Sequence, residues 1–559
     1  MKRVFSRLPV VALVALLAAC ASVSRREGAE RVQTMVGQRV ADARFWPLER
    51  HDDAGVETRL GELVASPLTP ASAQTIALLK NPQLAASFAR LGIAQADVVE
   101  ASRIGNPGFS GSALRDGGPS KITMGLSLPL SDLLLLSSKR RLAEGDYERA
   151  QQLIAAEIVT LCADVNQAWY EAAAAQQVAA MRDAASSAAA ASADLARRYY
   201  EAGNISALAL KLEQAAASQA RVAASMARAE STRARLLLNT RMGLSGDMAS
   251  RWRLDVPLAA PVENEDGLET LRALARDNRL DLLAARREVE LLAQALGVVR
   301  RWRLIGSIDL GIERERDTDG SKLTGPSLSL AIPLFNQGQA AIARAEAQLE
   351  IGRADLARLE LQVDNEVLLG RERVAAMRSI VEDYRSALIP QREAIVARQQ
   401  ERINFMLSGA FELLLSRQQE FDAYAAYLDA VRDYWLARNA LGRAIGTALP
   451  SDASVGERVP DVEALLAPAE DPAMQHMQHG GSMDAMPGMD HSGRDMPPLE
   501  AGSAEGSAAA DAKDRESDPS DCASPGKAPV PSATDRAKKR SDDAHGSSEA
   551  MHDRHEGSK

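Results

Sequence analysis

The sequence is poor in aromatic residues, which make up 4% of it, and in cysteine, of which it has only Cys20, Cys162 and Cys522. Three scattered cysteines make neither a disulfide framework nor a zinc site. Alanine and leucine carry the apolar load instead, which favours close-packed helices over a bulky core. Cations do not dominate: the net charge is −10, so a general nucleic-acid surface is not indicated. Walker A, HExxH and GxSxG signatures are missing, and nothing argues for an enzyme. The apolar run from Leu8 to Ala19 is too short to span a bilayer comfortably. Proline is missing from the whole stretch between Pro129 and Pro257.

That proline-free stretch organises the chain. Ser131 to Tyr200 reads as one continuous helix, about 100 Å long at 1.5 Å per residue. Ile154, Ile158, Leu161, Val165, Ala168 and Ala172 alternate steps of four and three, the seam of a coiled coil. A second rod follows Pro333, with Val363, Val367, Gly370, Val374, Met377, Val381, Tyr384 and Leu388 in the same alternation. Rods this long need partner helices along their length.

What surrounds the rods is duplicated. Thr69-Pro70 starts a helix that Asn81-Pro82 kinks or breaks. Strand candidates follow at about 107–115 and 121–130. In the second, Ile122, Met124, Leu126, Leu128 and Leu130 alternate with Lys121, Thr123, Gly125 and Ser127. The first rod breaks at Ala202-Gly203-Asn204, with Gly203 suited to a left-handed turn, and a return helix runs from about Ser206 to Met242. The second half starts at Asn278-Arg279-Leu280, with strand candidates at about 304–314 and 323–334. Its rod breaks near Ser408-Gly409, and its return helix ends near Ile445-Gly446. Ser127 to Leu130 mirrors Ala331 to Leu334, Tyr200 to Leu210 mirrors Phe405 to Leu415, and Arg241-Met242-Gly243 mirrors Ala444-Ile445-Gly446. Four strands, each aliphatic on one face and small or polar on the other, have the dyad pattern of a transmembrane barrel wall but cannot close one alone. The pattern leaves two readings open: a soluble sheet capping a bundle, or strands pooled by several chains.

Lys2, Arg3 and Arg7 precede the apolar run, which is the layout of a secretory signal. It ends in Leu17-Ala18-Ala19-Cys20, which resembles a bacterial lipobox; that resemblance implies a covalent lipid on Cys20. Ala21 is not the aspartate that retains such lipoproteins on the inner membrane, so the outer membrane is expected. Residues 21–65 read as polar and mostly irregular.

Over roughly residues 65–450 the chain resembles the TolC-like outer membrane efflux factors. Leu78 to Leu84, Leu126 to Leu130, Leu330 to Gly338, Tyr200 to Ser206 and Ile389-Pro390 carry the likeness. The resemblance implies a mainly α fold with a small β part: a duplicated strand hairpin plus long antiparallel coiled-coil helices. It implies a homotrimer whose twelve pooled strands form a β-barrel in the outer membrane, continued by an α-helical periplasmic tunnel. The implied partners are a periplasmic adaptor and an inner-membrane pump of the RND type. The turns at Gly203 and Gly409 would form the periplasmic tip. Tyr200, Gly203, Ser206, Leu208, Phe405, Ser408, Gly409, Glu412 and Leu413 are the docking candidates by the same resemblance. Where some relatives carry aspartates, this chain reads Glu412-Leu413-Leu414-Leu415-Ser416-Arg417, so Glu412 or an apolar constriction is expected instead.

After Pro450 the composition turns to Pro, Gly, Ser, Ala and Asp, and disorder is expected over 451–559. The tail holds Met474, His476, Met477, His479, Met483, Met486, Met489, His491 and Met496. Thioethers favour Cu(I), and imidazole also suits Cu(II) and zinc, so copper is the expected tail ligand; no other cofactor is implied. Met-Asp-His segments also resemble parts of bacterial copper-resistance proteins. The expected domains are a signal peptide at 1–19, a lipid-anchored lead-in at 20–65, repeats at 66–255 and 256–450, and the tail. Three functions follow in order: an exit duct for copper or a similar metal, a duct for drugs or other organic compounds, and a periplasmic metal-binding lipoprotein scaffold.

Overall fold

The computed structural model describes residues 25–40, 54–115, 117–304, 306–456 and 458–466. The signal peptide, Cys20 and the Met/His tail lie outside the described residues. The lead-in corrects the expectation of irregular chain. It forms helices α1 (Arg25–Gly37) and α2 (Ala54–Ala65). Val32, Val36, Val56, Leu60 and Val64 are buried in the main core, and Arg39 donates to the Asn278 carbonyl at 2.8 Å. Valines and a leucine spaced by four make one apolar stripe on each short helix, which the polar average conceals.

Helix α3 (Pro70–Lys80) begins with a reciprocal cap. Thr69 Oγ1 accepts from the Ser72 amide at 3.2 Å, and Ser72 Oγ accepts from the Thr69 amide at 2.9 Å. It stops where expected. Pro82 has no amide hydrogen to continue the ladder, and Asn81 Oδ1 accepts from the Gln83 amide at 2.8 Å to start α4 (Pro82–Ala101). Strands β1 (Gly108–Leu114) and β2 (Lys121–Pro129) lead into the rod α5 (Leu130–Glu201), 72 residues without a break. All six expected seam residues, from Ile154 to Ala172, are buried. The return helix α6 (Ala207–Met242) ends at Gly243 with φ 72°.

The second half repeats the order with α7 (Leu268–Asn278), α8 (Leu280–Trp302), β3 (Ile308–Arg316) and β4 (Lys322–Leu330). The sheet is shifted from expectation: β3 starts later, and β4 ends at Leu330, so Ile332 and Leu334 lie beyond it and are exposed. Pro129 caps α5 directly, whereas an irregular link at 331–338 follows Leu330. There Asn336 Oδ1 accepts from the Gly338 amide at 3.2 Å, and Gly338 takes φ 79°. The local turn chemistry of Asn and Gly therefore overrides the Pro129/Pro333 likeness.

The second rod has three parts. Helix α9 (Gln339–Asp383) passes through a π turn at Tyr384–Leu388 into α10 (Ile389–Asn404). Pro390 cannot donate to the Ser386 carbonyl, and the widened turn absorbs the missing bond. Val363, Val367, Val374 and Val381 are buried, while Gly370, Met377, Tyr384 and Leu388 are half-buried. Helix α11 (Ala410–Ile445) returns and ends at Gly446 with φ 75°. Order then continues past Pro450, a second correction. Arg438 Nη2 reaches Asp452 at 2.7 Å, the Val459 amide donates to the Leu258 carbonyl at 2.9 Å, and α12 (Val462–Leu466) follows. Scattered residues anchored by polar contacts to distant parts of the chain leave no periodic trace in sequence.

Candidate functional site

The four strands form one antiparallel sheet in the order β1-β2-β3-β4, with β2 joining β3 across the two halves. Register sorts the side chains into two faces, with Leu114 and Leu323 the apolar exceptions on the polar one. Leu128, Leu310 and Leu328 share one row, and Phe109, Leu126, Ile312 and Pro326 the next. The opposite face carries Ser110, Ser112, Thr123, Ser127, Asp309, Glu313, Glu315, Ser327 and Ser329. A small residue is required at Gly311, where a β-carbon would stand 2.7 Å from the Leu126 carbonyl.

Among the described residues nothing covers the aliphatic face. Phe109 is 75% exposed and Leu328 67%, with Leu126, Leu310, Ile312 and Leu330 exposed beside them. So large a bare apolar surface marks an interaction site. The edges of β1 and β4 are unpaired among the described residues, and an open edge is not tolerated in hydrocarbon. No described helix is long and apolar enough to cross a membrane.

At the far end of the rods the two helical hairpins meet, with Tyr199 edge-on to Phe411 at 6.1 Å. The first turn is as expected. Gly203 has φ 74°, its amide donates to the Tyr200 carbonyl at 2.9 Å, and Asn204 donates to Tyr199 at 2.8 Å. Ser206 Oγ then caps α6 through the Ala209 amide at 3.1 Å, and Leu208 is exposed. The second turn has the same bonds but a different register from the expected one. Met406 donates to Ile403 at 2.8 Å and Leu407 to Arg402 at 2.7 Å. Met406, with φ 58°, therefore stands where Gly203 does, and Gly409, with φ −82°, matches Ser206 at the start of the helix. The mirror of Tyr200 to Leu210 onto Phe405 to Leu415 is two residues off; a left-handed methionine gives no glycine signal.

This second turn is bare. Phe405 is 75% exposed, Met406 94% and Leu407 69%. The Ser408 hydroxyl bonds Glu412 and lies 3.3 Å from Gln399, and Leu413 is half-buried. Sequence reading named Phe405 but missed Met406, Leu407 and Phe411; three adjacent apolar residues at a helix end are the signal. Higher up, Tyr424 donates to Glu393 at 2.7 Å, and Glu420 pairs with Arg417 at 2.8 Å. Burial pushes the Glu420 carboxyl above its ordinary range despite the pull of Arg417.

The buried aromatic and thiol groups of the core serve packing. Tyr170 stacks on Trp435 at 5.5 Å, and Trp169 and Trp435 donate to the carbonyls of Leu68 and Ala259, each at 2.7 Å. Cys162 is buried, its thiol pushed up to about 12. Among the described residues no three His, Cys, Asp or Glu side chains gather to hold a metal.

Residues 75–244 match the outer membrane efflux protein family. A comparison with the curated proteins found no match. Among solved structures, CusC, described for its folding and transmembrane channel formation, is similar at 15% identity and TM-score 0.58, covering 74% of this chain and 98% of that one. The outer membrane protein VceC of Vibrio cholerae matches at 18% identity and TM-score 0.56, over 70% and 97% of the two chains. The CmeC outer membrane channel of Campylobacter jejuni matches at 14% identity and TM-score 0.55, over 77% and 89%. Residues 75–244 thus carry the match to the outer membrane efflux protein family, and the described residues share the fold of the solved outer membrane proteins CusC and VceC.

Proposed function

We propose that this chain is the outer-membrane component of a tripartite efflux system, a passive exit duct that performs no chemistry of its own. The observation that carries this reading is the four-stranded sheet, apolar and bare on one face, polar on the other and open at both edges. Three copies joined from β4 of one to β1 of the next would close a ring with the aliphatic face to lipid and the polar face to a water-filled bore. The rods would then line a periplasmic tunnel, and the turns at Gly203 and Met406 would form its tip. A periplasmic adaptor would dock there, with Phe405, Met406 and Leu407 as its apolar anchors, and an RND-type pump would supply the coupling energy. Cys20 would carry the lipid.

The Met/His run from Met474 to Met496 favours copper or a related soft metal as cargo, loaded or buffered by the tail. Purified full-length protein in planar bilayers tests the duct: stepwise conductance is expected. Protein that stays monomeric and soluble without detergent, and never conducts, would refute it. A tolerance panel of copper, silver, zinc and antibiotics in a deletion strain tests the cargo, with copper sensitivity expected.

A further inference from the structure

The two hairpins end differently on the aliphatic face. The β1–β2 arm stays apolar to its tip, through Ala113, Ile122 and Met124. On the β3–β4 arm the last two rows turn basic: Arg314 lies opposite Thr324, and Arg316 opposite Lys322. The run Glu313-Arg314-Glu315-Arg316 alternates in charge, so the strand period sends every cation to the aliphatic face and every carboxylate to the polar one. Glu315 is held there by Lys121 at 2.7 Å. The turn carboxylates are engaged locally, Asp317 by the Thr318 amide at 2.7 Å and Asp319 by the Ser321 amide at 2.8 Å. Arg314, Arg316 and Lys322 are exposed, and none has an ion-pair partner among the described residues. Arg115, directly after β1, is exposed at the neighbouring tip.

Unpaired cations on a lipid-facing strand are costly near mid-membrane and tolerated where they can reach an interface. These sit at the end of the sheet away from the rods, which in the duct reading is the outer leaflet. We propose that Arg314, Arg316 and Lys322 seat the phosphate groups of a phosphorylated glycolipid of the lipid A type. The inference rests on the duct reading. Guanidinium forks suit phosphate oxygens bidentately, and two basic rows about 7 Å apart along the strand suit a headgroup bearing more than one phosphate.

The test uses the full chain in phosphatidylcholine nanodiscs doped with lipid A, with dephosphorylated lipid A and inorganic phosphate as separate arms. Bound lipid is read by native mass spectrometry and insertion by conductance. The wild type should bind lipid A at least about tenfold more tightly than an Arg314→Gln/Arg316→Gln/Lys322→Gln variant of equal conductance. Arg314→Lys/Arg316→Lys, which keeps the charge but loses the fork, should bind less tightly than the wild type and more tightly than the triple variant, and inorganic phosphate alone should not bind. Equal binding of phosphorylated and dephosphorylated lipid by the wild type overturns the seat, whether or not the triple variant folds. Insertion and conductance without lipid discrimination overturn the seat alone; no insertion in any lipid overturns the duct reading and the seat with it.

Discussion

Gly243 lies so close to Asn81 that a β-carbon on it would stand 2.9 Å from the Asn81 Cα and 2.8 Å from the Lys80 carbonyl. Asn81 in turn donates its side-chain amide to the Arg241 carbonyl at 2.9 Å. The second half repeats the contact: Gly446 faces the backbone of Asn278 and Arg279, and Arg279 Nη1 reaches the Ala444 carbonyl at 3.1 Å. In each half the break between two short helices is thus locked to the end of the return helix.

Gly243→Ala should therefore destabilise the helical body by about 2 to 4 kcal/mol, from left-handed strain plus backbone displacement. Gly203→Ala has the same strain but open space around it, and should cost about 1 kcal/mol. Thermal melts followed by circular dichroism in detergent compare the two; equal losses would show that the contact with Asn81 contributes nothing.

Met406 holds a conformation that glycine adopts freely, while its side chain touches almost nothing. Met406→Gly should raise stability by about 1 kcal/mol. Phe405→Ser with Leu407→Ser should leave the melt nearly unchanged yet weaken adaptor binding by about tenfold or more. Titration calorimetry with the purified adaptor decides: unchanged affinity would remove the tip from the docking surface.

Glu420, with Arg417, Glu393 and Tyr424 around it, titrates above its ordinary range because it is buried. A raised folded value means stability that is full below the ordinary glutamate range and is lost as pH rises through the folded value. Amide protection in α10 and α11, corrected for intrinsic exchange, should be greater near about pH 5 than near about pH 7.5. Glu420→Gln should flatten that dependence, and an unaltered slope in the variant would assign it to another group.

Asp309 and Glu313 project from the polar face of β3. If that face lines the bore, trimeric rings of carboxylate should favour cations. Asp309→Asn with Glu313→Gln should move the reversal potential in a salt gradient toward zero selectivity without closing the channel.

Deleting residues 473–497 should leave assembly and conductance intact but lower copper tolerance. Cu(I) titration of the truncated protein is the direct check; binding equal to that of the full chain would end the case for the tail.

Much of the architecture is legible in residues because long periodic elements announce themselves. The seam from Ile154 to Ala172 and the alternation from Ile122 to Leu128 are each set by one strict period, and both appear in the fold. What escaped were features without a period. Val32 and Leu60 sit on helices too short for their stripe to stand out in a polar lead-in. Met406 adopts a backbone shape that its side chain does not advertise, so glycine signals alone put the second turn two residues late. Arg438 and Asp452 make an ordering contact that depends on tertiary proximity alone.

Under the proposed assembly, the raw rims of the sheet at β1 and β4 make a solitary copy an unfinished object. Water can hydrate those backbone groups, but hydrocarbon cannot. Under the proposed assembly, a strand must therefore find its neighbour as it leaves water, so entering the bilayer and meeting other copies become one event. Its rate should climb steeply with protein concentration, and a mutation that blunts either rim should halt both together.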